Sequence, residues 1–474
     1  MLVPEKKIYK GWRLRKDIAY HFLGIGGIAM GNAALDLKKA GFQVTGSDAG
    51  LYNPMKELLA EGGIQALSPF APENLPKAGL VIVGNAISRG NAELEEVLNR
   101  RLNYTSLPEL LRWGILADRK NLVITGTHGK TTTAALTAHI LTAAGLNPGY
   151  MIGGAPMDFP AGFSSQGREW FVIEGDEYDT AFFDKRPKFL HYLPCGLIIN
   201  NIEYDHSDIY DHVGQITEAF RKLMRLIPQN GVIAANSDDA GVMEVVQNAP
   251  CPVVTFSAGS VADFTGECRK RNIAIFKKGN LWGECEYNLP GRHNLQNALA
   301  AVALLDFLRI DRRRILQGLK SFHGVRRRLE FKGESGGIAV YDDFAHHPTA
   351  VKASISAIKE THPGGKIWAL FQPRSNTSVT NIFQEEWSEA FRQADTIVIA
   401  ELHRKEKIPL QRRLNREQLK IQLEARNKEV FLWNDAEEIL ANIINRLKQD
   451  DIVLVMSNSD FGGLAGKILN ALQY

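Results

Sequence analysis

A short apolar run, a glycine-rich turn and a stretch of helically spaced apolar residues follow one another repeatedly along the chain. Ala19-Tyr20-His21-Phe22-Leu23 leads into Gly24, and the spacing over 28–40 predicts a helix. Gln43-Val44-Thr45-Gly46 and Leu80-Val81-Ile82-Val83 predict two more strands. This alternation implies parallel βαβ units. The pattern restarts at Asn121-Leu122-Val123-Ile124, with a second glycine-rich turn and a helix predicted over 131–144. It restarts again at Ile338-Ala339-Val340-Tyr341, with later strands expected at 366–371, 396–400 and 452–456. Three restarts predict an α/β chain of three domains, 1–118, 119–324 and 325–474, with joints near 119 and 322–328.

Length agrees: 474 residues at roughly 150 per domain also give about three. Hydrophobic residues make up 45% and charged residues 23%, the balance of an ordinary globular protein. Lys plus Arg is 56 against 53 for Asp plus Glu, a net charge of only +3, which excludes affinity for nucleic acid or anionic lipid through bulk charge. The four cysteines, Cys195, Cys251, Cys268 and Cys285, form no CxxC pair, so neither a zinc ribbon nor a disulfide framework is expected. The first twenty residues are broken by Pro4, Glu5, Lys6, Lys7, Arg13, Arg15, Lys16 and Asp17 and hold no apolar h-region. No later stretch approaches the ~18 apolar residues of a membrane span. A soluble cytoplasmic protein without nucleic-acid or membrane partners is expected, and no short repeat or low-complexity tract suggests otherwise.

Gly24-Ile25-Gly26-Gly27-Ile28-Ala29 sits between a strand and a helix, the setting in which a GxGxxG/A match carries weight. Backbone N–H groups at such a helix start face an anion, and missing Cβ atoms allow it to approach closely. Asp48 ends the next strand, where an acid can hold a ribose-like hydroxyl. This suits a nucleotide-sugar or a dinucleotide; tight strand–helix contact alone also explains the glycines.

Thr125-Gly126-Thr127-His128-Gly129-Lys130-Thr131-Thr132 is a second strand–turn–helix junction. Its backbone can wrap phosphate oxygens, Lys130 can reach the β/γ-phosphates and Thr131 can ligate Mg²⁺. The turn is shorter than the usual P-loop, because Ile124 stands where the first glycine of GxxxxGK[ST] belongs. Trp170-Phe171-Val172-Ile173 ends at Glu174-Gly175-Asp176-Glu177, which makes Glu174 a candidate Mg²⁺ ligand or a solvated loop acid. Leu197-Ile198-Ile199-Asn200-Asn201 is followed by Glu203, Asp205, His206 and Asp208, where His206 can serve a second metal, act as a general base, or be structural. Asn294, in His293-Asn294-Leu295-Gln296-Asn297, suits the N-cap of a helix reaching about residue 308, with Asn297 on the same face. Arg326, Arg327 and Arg328 read as a solvated charge run, or as arginines brought to a γ-phosphate by domain closure.

Taken in order, Gly24-Ile25-Gly26-Gly27, the turn 125–132, Glu174, the run 201–206, the run 293–297, Arg328 and Asp342-Asp343-Phe344-Ala345-His346-His347-Pro348 resemble the motifs of the Mur ligases. These are ATP-dependent amide-forming enzymes of bacterial cell-wall synthesis, and the resemblance spans nearly the whole chain. It implies a Rossmann-like N-terminal domain for a UDP-sugar, a central P-loop ATPase-like domain, and a Rossmann-like C-terminal domain for the incoming amine. It places Gly24, Ile25, Gly26, Gly27, Asp48 and Ser88 at the UDP-sugar. It places Gly126, Thr127, His128, Gly129, Lys130, Thr131 and Thr132 around the ATP phosphates, and Asn294 and Asn297 at its adenine side. Arg328 and Asp343 would join them, with Lys130, Glu174, His206, Arg328, Asp343 and His346 forming the catalytic set. Thr131, Glu174 and His206 would hold Mg²⁺, as two ions.

Within the family, Tyr52-Asn53-Pro54-Met55, the runs 177–186 and 326–330, Pro373-Arg374-Ser375-Asn376-Thr377 and Met456-Ser457-Asn458 resemble one branch. That branch joins the tripeptide L-alanyl-γ-D-glutamyl-meso-diaminopimelate to UDP-N-acetylmuramate during peptidoglycan recycling, through an acyl phosphate. It implies a peptide site at Arg374, Ser375, Asn376, Thr377 and Asn458, in a monomer or weak homodimer. A sibling branch that adds single L-alanine usually has a His-Arg-centred run where 373–377 stand. An inactive nucleotide-binding sensor of the same fold is a further alternative, against which the joint presence of Lys130, Glu174, His206 and Asp343 argues. Ser459-Asp460 and the basic segment 404–426 depart from the branch, and the segment reads as a solvated helical face. Several siblings carry a carbamylated lysine whose place falls near Phe220 here, with Lys222 out of register.

Overall fold

Each restart of the apolar pattern builds its own sheet. In the computed structural model, which describes residues 14–473 except Asn53, Pro54, Arg168 and Lys270, the first sheet has five parallel strands. Their order is Ala66–Leu67, Gln43–Ser47, Ala19–Leu23, Leu80–Val83, Asn103–Ser106. The readings made on residues 1–13 and on Asn53-Pro54 lie outside the described residues. Phe22 and Ile82 are fully buried in one cluster with Ala33, Ala34 and Leu37 of the helix Ile28–Lys39.

The central sheet has ten strands, parallel in the middle and antiparallel at both edges. Its order is Asn280–Glu286, Asn272–Lys277, Phe264–Arg269, Val253–Ser257, Val232–Asn236, Pro194–Ile199, Lys120–Thr125, Trp170–Glu174, Gly149–Met151, Phe163–Ser164. Strand Lys120–Thr125 explains its unbroken apolar run: Val123 enters one core cluster, while Leu122 and Ile124 enter the cluster on the other face. The helix Lys130–Ala143 is buried along most of its length, which accounts for its many small residues (Thr132, Thr133, Ala134, Ala135, Ala138).

The third sheet runs Glu330–Ser335, Ile338–Asp343, Ile452–Met456, Ile367–Phe371, Thr396–Ile399, Glu429–Phe431, with only the first pair antiparallel. Two expectations change. Asn294 is not an N-cap, because the helix Arg292–Phe307 starts two residues earlier, behind Gly291 at φ +90°. The basic segment is not one helical face: two 3-10 turns, Lys405–Lys407 and Leu410–Arg412, precede a short helix, Arg416–Glu424, whose Leu419 and Leu423 are buried. Among the described residues no helix is long and apolar enough to cross a membrane.

In parallel sheets ligands gather beyond the carboxyl ends of the strands, where the chain order reverses. The carboxyl ends of all three sheets border one cavity of about 1240 Å³. Gly84 and Asn85 reach it from the first sheet, Lys130 and Glu174 from the second, Asp343 and Arg374 from the third.

Candidate active site

The central sheet reverses its chain order between Lys120–Thr125 and its neighbour Pro194–Ile199, and the turn after each strand builds the floor of the cavity. Gly126 at φ +130° and Gly129 at φ +81° make a bend that L side chains rarely adopt. A Cβ on Gly129 would also lie 2.5 Å from Asn297 Oδ1. The turn is tied to the neighbouring strand end: Thr127 N–H donates to the Asn201 carbonyl at 3.1 Å, and His128 N–H donates to Asn201 Oδ1 at 2.7 Å. The first helical N–H groups after Gly129 have no intrahelical acceptor, so they remain available to an anion.

Lys130 Nζ donates to the Gly126 carbonyl at 2.6 Å and lies 3.0 Å from Glu177 Oε2. Burial disfavours its charge, but Glu177, Asp176 and Glu174 around it raise its pKa above the ordinary value. Glu177, which the sequence reading gave no role, is almost fully buried and also holds His206 Nε2, at 3.0 Å. Burial pushes against the charge on Glu177, yet Lys130 and His206 hold its pKa below the usual carboxylate range. The same pairing overcomes burial at His206 and raises its pKa. His206 itself sits at φ +56°, with its ring against Tyr178 at a centroid distance of 4.1 Å.

Glu174 accepts from Thr131 Oγ1 at 3.2 Å and from the Gly153 N–H at 2.5 Å. Burial raises its pKa, only partly offset by Gly153, Arg328 and Lys130. Thr131 and Glu174 therefore stand together as expected, whereas His206 groups with Asp176 and Glu177, whose ligand atoms lie within 4.8 Å of its own. Arg328 Nη2 reaches Thr131 Oγ1 at 3.0 Å, across the joint between the second and third sheets. Its guanidinium lies 4.5 Å from the Phe344 ring centre, and its neighbours Arg327 and Leu329 both have positive φ, +58° and +53°. The solvated-run reading holds only for Arg326, which is exposed.

Asp343 accepts N–H from Leu329 and, at 2.7 Å, from Ala345, along with the Ser354 hydroxyl at 3.3 Å, so it fixes the Arg328 loop to its own strand end. His346 Nδ1 pairs with the Phe344 carbonyl at 2.9 Å, leaving Nε2 as the bare nitrogen of a ring that lines the cavity. Asn294 donates to the Pro290 carbonyl at 2.8 Å and accepts from Asn297 at 3.3 Å; Asn297 in turn accepts from Thr133 at 3.1 Å. Both asparagines line the cavity, and Asn297 braces the phosphate-turn helix.

At the first glycine turn, Gly24 at φ +91° makes the expected bend, but Asp48 behaves differently from the reading. Its Oδ2 accepts the Gly26 N–H at 2.9 Å and its Oδ1 the Gly50 N–H at 3.3 Å, while Gly24 and Ile25 N–H donate to the Ser47 carbonyl. Ala29, Met30, Val83, Gly84, Asn85, Leu107 and Pro108 form this domain's wall of the cavity; Gly24, Ile25, Gly26, Gly27, Asp48 and Ser88 are not among its lining residues. Of the presumed peptide residues, Ser375 bonds Ser378 at 2.9 Å and Thr377 donates to Asp205 at 2.6 Å. Arg374, Asn376 and Asn458 line the cavity with side-chain groups still free for a ligand, and Asn458 Oδ1 is a buried atom with no partner. The place of the carbamylated lysine is taken by the fully buried Phe220, and Lys222 lies on the exposed side of the helix Val213–Met224.

Sequence reading also passed over a seam between the second and third sheets. Thr349 Oγ1 donates to Glu203 at 2.6 Å, and His347 Nε2 pairs with the Tyr204 carbonyl at 3.2 Å. With Thr377 on Asp205, three successive residues each receive a donor from the third domain. Glu203 also faces His128 and His347, at 3.4 and 3.7 Å; burial opposes its charge, but His128 and Thr349 bring its pKa down to about 2.

Three family models match the chain in succession: the Mur ligase family, catalytic domain, over residues 19–119; the Mur ligase middle domain over 124–305; and the Mur ligase, glutamate ligase domain over 327–459. A UDP-N-acetylmuramate--L-alanyl-gamma-D-glutamyl-meso-2,6-diaminoheptandioate ligase of Haemophilus influenzae is 36% identical, over 96% of this chain and 99% of its own. A UDP-N-acetylmuramate--L-alanine ligase of Clostridium tetani is 31% identical over 93% of this chain and 95% of its own. Among solved structures, a murein peptide ligase from Psychrobacter arcticus superposes with a TM-score of 0.72 at 31% identity, covering 96% of this chain and 99% of that one. With a glycine turn, a half-buried lysine and paired acids converging where three such domains meet, the chain belongs to the Mur ligase family and is a ligase that forms amide bonds at the expense of ATP.

Proposed function

We propose that the protein joins the tripeptide L-alanyl-γ-D-glutamyl-meso-diaminopimelate to UDP-N-acetylmuramate, in peptidoglycan recycling. The observation that carries this reading is the single cavity reached from three sheets, with Lys130 at its floor and Arg374 on the wall of the third domain. The name of the Haemophilus influenzae relative supports the tripeptide. The Clostridium tetani relative favours a second reading, addition of L-alanine.

A carboxylate does not react with an amine at neutral pH, because its leaving group would be oxide. In the proposed reaction an oxygen of the sugar's carboxylate attacks the γ-phosphorus of ATP, ADP departs, and an acyl phosphate forms. The amine nitrogen then attacks the acyl carbon, and inorganic phosphate leaves with the bonding pair. The first step brings two anions together, so positive charge at the γ-phosphate lowers its barrier. Lys130 and Arg328 supply that charge from two sides. The oxygen donors of Thr131 and Glu174 fit Mg²⁺, since a buried carboxylate with a raised pKa favours a cation beside it. When bound there, Mg²⁺ would add charge neutralisation; a second ion would draw on His206 with Asp176 and Glu177. The first-turn N–H groups of the helix Ile28–Lys39, with Asn85 opposite, would hold the UDP-sugar. His346, whose pKa burial lowers, stays neutral and can take a proton from the attacking amine at Nε2. The joint at 322–328 would serve as the hinge that carries Arg328 and Asp343, a reading supported by left-handed backbone at Arg327 and, just beyond it, Leu329.

The test is ADP release with UDP-N-acetylmuramate and either the tripeptide or L-alanine. Efficient turnover with the tripeptide and little with L-alanine is expected. The converse would transfer the protein to the alanine-adding branch. In Arg374→Ala the peptide KM should rise about 30- to 150-fold, the worth of a guanidinium–carboxylate contact, with the ATP KM unchanged.

A further inference from the structure

The residue that leads into the basic segment, His403, lies against Arg374. His403 N–H donates to the Pro373 carbonyl at 3.1 Å, which ties the loop after Thr396–Ile399 to the loop after Ile367–Phe371. Arg374 Nη1 donates to His403 Nδ1 at 3.3 Å, so the proton of a neutral His403 ring sits on Nε2 and makes it a further donor. Burial, then Arg374 and Arg404, lower the pKa of His403 and keep the ring neutral. Arg404 is held in a left-handed conformation, φ +53°, which a side chain other than glycine rarely adopts.

Three cationic or donor groups therefore crowd one place, and their counter-charge is missing. Glu401, one of two acids within this loop, is engaged by Lys405 at 2.6 Å and Arg416 at 3.2 Å. Asp460 and Glu406 attract Arg374 and His403 only from beyond ion-pair distance. Among the described residues, neither Arg374 nor Arg404 pairs with a carboxylate. Like charges held together by a strained backbone, without a protein anion, are suited to receive one from a ligand.

Position selects which anion. Arg374 lines the cavity, His403 is half-buried beside it, and Arg404 is exposed beyond them, so the group leads outward from the cavity wall. A substrate amine must lie near the phosphate turn to react, which brings the opposite end of that substrate to this rim.

We propose that His403 and Arg404 complete, with Arg374, a subsite for the carboxylate at the far end of the incoming amine substrate. This rests on the tripeptide reading above and adds a residue-level basis for choosing a diaminopimelate end. The experiment compares wild type, Arg404→Gln and His403→Gln with two peptides: the tripeptide ending in meso-diaminopimelate, and the same peptide ending in L-lysine, which lacks that distal carboxylate. Arg404→Gln should raise the KM for the diaminopimelate peptide about tenfold, with kcat, the ATP KM and the KM for the lysine peptide unchanged. Arg404→Lys should recover part of the loss. Arg404 is exposed, and an unchanged melting temperature will show that folding is intact. An unaltered KM, or equal rises for both peptides, would overturn the subsite while leaving the tripeptide function standing. A wild-type enzyme that turned over neither peptide would remove the function and the subsite together.

Discussion

At the Gly24 turn, the helix start is bordered by the exposed Ile28 and by Asp48, whose carboxylate takes the N–H groups of Gly26 and Gly50. At the Gly126 turn the helix start, behind the left-handed Gly129, is surrounded by the buried Glu177 and the half-buried Lys130, Glu174 and Arg328, each paired with another group of the site. Both turns end in a helix N-terminus with unpaired N–H groups, which is enough to seat a phosphate that stays whole. Moving a phosphoryl group needs more: charge placed in advance where the transition state develops it. Under the proposed function, the contrast separates a sparsely charged turn that holds one substrate from a densely charged turn that reacts with another.

The largest effect should come from removing the charge. Lys130→Ala is expected to lower the rate of ADP release by on the order of 10²-fold or more, with saturating ATP. Calorimetric titration should find the affinity for UDP-N-acetylmuramate little changed. Turnover near the wild-type rate would end the distinction between the two turns.

A methyl group added to each turn should have unequal results. In Gly129→Ala the new Cβ meets Asn297 Oδ1 at 2.5 Å on a left-handed backbone, so a loss of about 2 kcal/mol of stability and weak ATP binding are expected. In Gly26→Ala the nearest atom is Asp48 Oδ2 at 2.9 Å, at the end of a side chain that can move, and a loss below about 1 kcal/mol is expected. Calorimetric melting of both variants checks the order; equal losses would mean that the reactive turn is no more tightly constrained than the binding one.

The smallest effect tests the acid at the sparsely charged turn. Asp48→Asn keeps an acceptor for the Gly26 N–H and removes only the charge, so sugar-nucleotide affinity should shift less than about fivefold. A much larger fall, measured by the same titration, would mean that Asp48 leaves Gly26 and holds the ligand directly.

What the sequence revealed of this site was local. Lys130, Thr131 and Glu174 are legible because a strand, a turn and a helix start place each of them within a few residues of a recognisable junction. Three strands of the first sheet, Ala19–Leu23, Gln43–Ser47 and Leu80–Val83, follow from the same alternation, whereas the short edge strands Ala66–Leu67 and Asn103–Ser106 and the strand order do not. Glu177 escaped notice because its role is relational: it joins Lys130 to His206, and neither partner can be inferred from the acid's own neighbours in sequence. Asn294 misled because cap propensity pointed to an asparagine, while a glycine at φ +90° three residues earlier turns the chain into the helix. The basic segment differs for another reason: its start is exposed, as its charge count suggested, but it breaks into turns and a short helix, and His403 just before it meets a loop about thirty residues away.

Glu203, Tyr204 and Asp205 form a row of three seats for the third domain, occupied by Thr349, His347 and Thr377. Adjacent residues cannot let go independently without bending the short chain between them, so the seats empty together. At a net worth of about 1 kcal/mol per bond, three bonds weight the closed arrangement by about a hundredfold. Were a nucleotide to enter only when all three seats are empty, its apparent affinity would fall by the same factor. Loosening a single seat by Thr349→Val would speed the entry of ATP before it altered anything at the phosphates, and the time products remain bound would shorten with it.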